Sequence, residues 1–326
     1  MRWLALIALL VSLPVSGQSV EELNRALVEK EAEVQALRSR IQLLERELSL
    51  RPASPPASPQ DATADEQDLN RALERSLVRE GGLVLPPKTF ELEPNFVYSH
   101  TTVTNFQRDA FGPGLTLRAG LPWRSQLELA LPYVVEHRRS GGVSNHAGGI
   151  GDLSLTVSHQ LLGERPHIPG LIGGLSYQAS TGRNTIFESA APVSLGSGFN
   201  AVQAFLTAVK RVDPLVFFGT YTFSHNIAEE KAGVEVDPGN SHTLRFGTIL
   251  ATSPSTSLRA AFNVTFFDTT RYGGIPLSGT DETFGMLEFG GSVLLGERTA
   301  LDVAVGAGVT RNAPDFRIGV ALPIRF

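Results

Sequence analysis

Seven histidines occur in the chain, and four of them directly follow a serine: Ser99-His100, Ser158-His159, Ser224-His225 and Ser241-His242. A serine hydroxyl beside an imidazole is the material of nucleophilic acyl transfer, in which the ring takes the hydroxyl proton. All four pairs sit in stretches that read as β-strand, where neighbouring side chains point to opposite faces. None can be a nucleophile–base pair on its own, so a catalytic site would have to be assembled across strands. No metal-ligand spacing, phosphate-cradling loop or Gly-x-Ser-x-Gly elbow occurs, and Gly148-Gly-Ile-Gly-Asp152 reads as the Gly-rich start of a strand. There is no cysteine, which excludes disulfides and thiol chemistry. The histidines therefore read as strand-end residues at an interface, and the chain as a non-enzyme without cofactor or metal.

The strands that carry them are best read from the final stretch. From Phe316 to Phe326 the apolar residues Phe316, Ile318, Val320, Leu322, Ile324 and Phe326 alternate with Arg317, Gly319, Ala321, Pro323 and Arg325. Strict alternation puts one face of a strand in an apolar medium and the other in water. The same writing recurs through residues 86–326, mostly in segments long enough to cross a bilayer at a tilt. This predicts an all-β transmembrane barrel of 12 antiparallel strands: 88–104, 113–121, 125–138, 149–162, 170–183, 198–210, 215–227, 240–252, 257–270, 282–295, 299–311 and 316–326. Short connections such as Pro122–Ser125 and Val212–Pro214 alternate with longer ones: Asn105–Gly112, Ser140–Gly148, Asn184–Ser197, Ala228–Gly239 and Arg271–Asp281. Short turns belong to the periplasmic side and long loops to the outside. An even strand count then leaves both barrel ends in the periplasm.

Parity also assigns the faces. Leu127, Leu129, Leu131 and Tyr133 look to lipid, with Tyr98, Tyr133, Tyr177, Phe223 and Phe266 making an outer aromatic girdle. Glu91, Glu93, Arg118, Glu128, Glu136, Arg245, Arg259, Glu288, Asp302 and Arg317 look inward and give a lumen of mixed sign. Twelve strands lie between the side-chain-filled barrels of about eight and the open ones of about sixteen, so one helix suffices to obstruct the bore. The formal net charge of −5 leaves no basic footprint for nucleic acid. The hydrophobic fraction of 42% is ordinary, as alternating strands require.

Ahead of the barrel four segments follow one another. Residues 1–17 read as a cleaved secretory signal, with Arg2 before an apolar run and small residues at Ser16-Gly17. Residues 18–50 carry a heptad seam of Val20, Leu23, Leu27, Val34, Leu37, Ile41, Leu44 and Leu48, with Lys30 the one polar intrusion. β-Branched a positions over Leu at d favour a dimer, whereas Arg40-Ile-Gln-Leu-Leu-Glu45 resembles the pattern of short trimeric coiled coils; the expectation is a homotrimer. Residues 51–64 form a Pro-rich spacer that cannot continue a helix. Residues 65–82 hold a short helix ended by Gly81-Gly82, with Leu69, Leu73 and Leu77 on one stripe and Arg71, Arg75 and Arg79 on another. Two positions are about 200° apart on a helix, so the stripes face opposite ways. The helix reads either as a plug whose Arg face meets lumen carboxylates or as a solvated periplasmic helix.

This order of segments, with Arg79-Glu-Gly-Gly-Leu-Val-Leu-Pro-Pro87 and Phe90-Glu-Leu-Glu-Pro-Asn-Phe-Val-Tyr-Ser-His100, resembles the outer-membrane secretion channel of the Fap-type functional-amyloid system. The barrel is also similar to the wider family named for the meta-pathway of phenol degradation. The first resemblance implies a Gram-negative outer-membrane barrel, a periplasmic trimeric coiled coil and a helix that plugs the lumen. It also implies a secreted polypeptide partner, the unfolded amyloid subunits exported to the cell surface. The wider family implies the alternative, a channel for hydrophobic or aromatic small molecules.

Overall fold

The computed structural model describes residues 73–103, 106–186 and 194–326, with the single positions Gln35 and Ser39. The chain divides after Ala62 into two units. Of the first, Gln35 and Ser39 are helical, and the Ser39 hydroxyl donates to the Gln35 carbonyl at 3.0 Å. The signal sequence, the seam residues Val20 to Leu48, the Pro-rich spacer, Leu69 and Arg71 lie outside the described residues.

The second unit is a closed antiparallel β-barrel whose wall has twelve strands. They are β1 (Phe90–Val103), β2 (Phe106–Leu121), β3 (Ser125–Ser140), β4 with β5 (Val143–Ile150 and Leu153–Leu162), β6 (Gly170–Ala179), β7 (Ala201–Val212) and β8 (Leu215–Asn226). β11 (Asn240–Ser253), β12 (Thr256–Phe267), β15 (Thr283–Leu294), β16 (Ala300–Gly308), and β17 with β18 (Phe316–Ala321 and Ile324–Arg325) complete it. Gly151-Asp152 interrupts the fourth wall strand and Leu322-Pro323 the last, yet each continues against the same neighbour. Closure comes from β1, which pairs β2 on one side and β17 and β18 on the other. The main chains of Phe90 and Phe326 bond to each other at 2.8 Å at the end where the barrel begins and finishes, here the proximal end.

The outward face is apolar along its length. Phe96, Phe111, Leu155, Val157, Leu244, Phe246, Phe289, Val303 and Val305 are all exposed around the wall. Soluble monomers rarely carry a continuous apolar surface of this extent, whereas lipid requires one around a sheet with no free edge. Tyr98, Tyr133, Tyr177, Phe223 and Phe266 stand on that face towards the distal end, and register sets Tyr98 against Phe111 with the rings tilted and their centres 4.8 Å apart.

Two expected loops are strand instead. Asn105–Gly112 belongs almost wholly to β2, since Phe106 already pairs with Val103, and Val143 pairs with Ser140 around Gly141-Gly142. Both hairpins carry charged and small residues on both faces at the tip (Arg108 and Asp109; Arg138, Arg139 and Ser144). The alternation that signals a strand is lost there although the ladder continues. Two other expected loops, Ala228–Gly239 and Arg271–Asp281, contribute the short strands β9 (Glu229–Lys231), β10 (Val234–Asp237), β13 (Arg271–Tyr272) and β14 (Ile275–Pro276), a small sheet of their own. The loop after β6 is tied back at Asp152. That carboxylate accepts from the main-chain N–H of Gly182 (3.0 Å) and Ser197 (2.6 Å) and from Gln178 Nε2 (3.0 Å). Leu195, buried, lies over Gly149 on the inner face.

Candidate functional site: a helix in the lumen

The inner face holds charge, hydroxyls and one apolar patch. Residues 73–79 are helical and stand inside the proximal half of the barrel. The helix ends as its sequence requires: Gly81 takes a φ of +69°, open to glycine at no steric cost, and the Gly82 N–H donates to the Leu77 carbonyl at 2.8 Å. The chain then runs along the wall, where the Leu85 N–H donates to Gln126 Oε1 at 2.9 Å. At Gly120 it passes so close that a Cβ would overlap the Pro86 carbonyl, which fixes glycine at that position.

Each stripe of the helix finds its own partner. Leu77 is 1% exposed and packs on Val209, Val216, Phe218, Ile249 and Ala261, with Leu73 at the margin. These wall residues face inward, so the helix covers the apolar part of an otherwise polar bore. On the other stripe, Arg75 pairs with Glu91 (3.4 Å) and donates to the Glu297 carbonyl (3.2 Å), while Arg79 pairs with Asp302. Between the stripes the Ser76 and Ser257 hydroxyls are 2.6 Å apart. Leu77→Ala should weaken docking of the helix by about 2–5 kcal/mol. The expected reading is faster amide exchange over residues 73–80 with exchange in the wall strands unchanged.

The inward charges gather into separate clusters. Near the proximal end Arg118 holds Glu91 (2.9 Å), Glu93 (2.7 Å) and Glu128 (2.6 Å), and Arg325 bridges Glu91 (2.9 Å) to Glu74 of the helix (2.8 Å). Further in, Arg259 holds Asp302 at 2.7 Å and Arg245 holds Glu288 at 3.1 Å. Glu80, just past the helix, joins both arginines, at 2.9 Å to Arg245 and 3.3 Å to Arg259. Glu136 stands apart towards the distal end, 2% exposed and paired with Arg108 at 2.9 Å. Arg317 faces a cavity of about 510 Å³ beyond the helix, lined also by Glu80, Arg245, Glu288 and Gln203.

Glu74 and Glu80, the helix-side acids, fall off both stripes and were invisible to a reading by fours. The apolar landing site had a signal, however. Val216-Phe217-Phe218 is apolar at three successive positions, so one of its two faces must be an apolar inner wall.

None of the adjacent Ser-His pairs meets, as parity requires. A cross-strand pair does form: Ser125 Oγ lies 2.9 Å from His159 Nδ1, on the outward face beside the Trp123 turn. Among the described residues no carboxylate bonds the other ring nitrogen, so the pair lacks the third member that would orient a base. His100 bonds Asp109 (2.7 Å) and His242 bonds the Tyr221 hydroxyl (2.8 Å), both on the outward face at the aromatic girdle.

No family model matches the chain. Among solved structures it is similar to an outer membrane channel from Pseudomonas putida F1, with a TM-score of 0.65, 15% identity and coverage of 75% of this chain and 97% of that one. The translocator domain of the autotransporter NalP from Neisseria meningitidis overlaps 82% of this chain and 98% of its own length, at 13% identity and a TM-score of 0.48. The likeness to the Pseudomonas putida channel shows that the chain has the fold of an outer-membrane β-barrel.

Proposed function

We propose that this protein is an outer-membrane channel gated by its own N-terminal helix. The observation that carries the reading is the double complementarity of residues 73–80 to the bore, Leu77 on the inner apolar patch and Arg75, Arg79 and Glu80 on wall charges of opposite sign. A helix that only rested in the periplasm would have no need of partners on both stripes. Removing it from the bore should open the channel, and the current through single molecules in planar bilayers tests this directly.

For the transported species, the order of coiled coil, spacer, helix and barrel supports export of unfolded amyloid-type polypeptide to the surface, with the helix leaving the bore when a substrate arrives. On this reading residues 18–50 form a homotrimer in the periplasm that keeps three channels together. A peptide of residues 19–50 should then sediment as a trimer, and a monomer at high micromolar concentration would retire that part. A second reading, passage of small molecules, draws on the cavity of about 510 Å³ beyond the helix, which is of small-solute size. Co-expression with a secreted repeat protein separates the two: export requires that the polypeptide fail to reach the surface when the channel is deleted.

A further inference from the structure

The cavity beyond the helix is lined by four arginines, Arg79, Arg245, Arg259 and Arg317, and by the acids Glu80, Glu128 and Glu288, of which Glu128 is held by Arg118. Three arginines and three acids there close on one another: Arg79 with Asp302, Arg259 with Asp302 and Glu80, Arg245 with Glu80 and Glu288. Arg317 lines the same cavity and has neither a carboxylate within 4.0 Å nor a side-chain hydrogen bond among the described residues. Register explains why. Arg317 is flanked on its rung by Ser99 and Gly306, and beyond Gly306 comes Glu288. Glu288 is thus two strand spacings away, roughly 9–10 Å, and its Oε1 is already shared by Arg245 (3.1 Å) and Arg259 (3.7 Å). The Met286 side chain lies over the glycine between them, and the open side is along the strand at Gly319, where no described atom would come within 4 Å of a Cβ.

The facing wall differs in kind. Thr156 bonds Ser176 and Thr207 bonds Thr220, but Ser158, Gln203 and Thr222 have no side-chain partner among the described residues and line the same space. A lone guanidinium in a narrow bore between low-dielectric walls calls for a counter-ion, and its planar fork matches a carboxylate with two parallel hydrogen bonds. Arg317, with no carboxylate within 4.0 Å among the described residues, offers its fork to one negative group. Unbonded hydroxyls and an amide opposite call for polar substituents on the rest of the molecule.

We propose that this cavity binds a small solute carrying a single carboxylate and further hydroxyl or amide groups, with Arg317 holding the carboxylate and Gln203 the far end. The site does not depend on the helix acting as a gate, and its test reads binding and not current. The probe is gluconate, titrated calorimetrically into the full chain in detergent at low chloride. Glucose, which lacks the carboxylate, and octanoate, which lacks the hydroxyls, are run beside it. Gluconate should bind one to one and at least about tenfold more tightly than either, the worth of a charge-assisted hydrogen bond. Arg317→Gln should lose about tenfold or more for gluconate at an unchanged melting temperature, and Gln203→Leu should weaken gluconate but not octanoate. Should Arg317→Gln fail to fold, Arg317→Lys, which keeps the charge without the fork, should bind measurably more weakly than the parent. No gluconate binding by the folded parent, equal binding of glucose, or unaltered binding by the Arg317 variants would overturn the assignment.

Discussion

Deleting residues 65–80 should raise single-channel conductance several-fold. The segment removed includes the whole described helix and Glu80, and with it the side chains that fill the proximal bore. What remains is a wall whose charges still satisfy one another: Arg118 keeps Glu91, Glu93 and Glu128, Arg259 keeps Asp302, and Arg245 keeps Glu288. The barrel should therefore fold without the helix, retaining its heat-modifiable mobility on gels, and the change should appear in the current alone. Exposing Val216, Phe218 and Ile249 to lumen water costs some stability, since they lose the Leu77 cover. That loss is small beside the main-chain ladder that closes the wall. An unchanged conductance would mean that something other than this helix sets the width of the bore.

Glu80→Gln is the subtler variant, with the larger effect for a single atom exchanged. Glu80 gives the helix two contacts to wall arginines, at 2.9 and 3.3 Å, and each arginine has a second acid on the wall. The substitution therefore loosens the helix without leaving a wall arginine bare. Hydrogen bonds to charged groups are worth about 1.5–3 kcal/mol. Losing much of two of them should shift the docked helix by about 3 kcal/mol, roughly a hundredfold in the ratio of docked to released states. Recordings should show brief openings in a channel that otherwise stays closed, at the conductance of the deletion variant. Gating indistinguishable from the parent would remove Glu80 from the closed state.

What could be read in advance follows from how each feature is encoded. The wall is written by period two, a local signal that survives wherever one face meets an apolar medium. All twelve strands and the inward set from Glu91 to Arg317 follow from it. The signal fails at the distal hairpins, where Arg108, Asp109, Arg138 and Arg139 make both faces polar and the ladder outruns the alternation. The helix stripes were equally local. Their partners were not: Leu77 meets residues of β7, β8, β11 and β12, and Glu80 meets arginines more than one hundred and sixty positions later. Only closure of the sheet brings those positions to one place. Asp152 shows the same limit, since a Gly-rich strand start gives no hint that its carboxylate ties down the loop after β6.

A disulfide between helix and wall tests the central claim most directly. The Ser76 and Ser257 hydroxyl oxygens are 2.6 Å apart, and the chain has no cysteine of its own to confuse the result. Ser76→Cys with Ser257→Cys should oxidise within one chain in intact membranes, altering its gel mobility, and the channel should stay closed until a reductant releases it. If the two cysteines remain free under oxidant while the barrel is folded, or if the linked protein conducts as freely as the reduced one, the helix is not the gate.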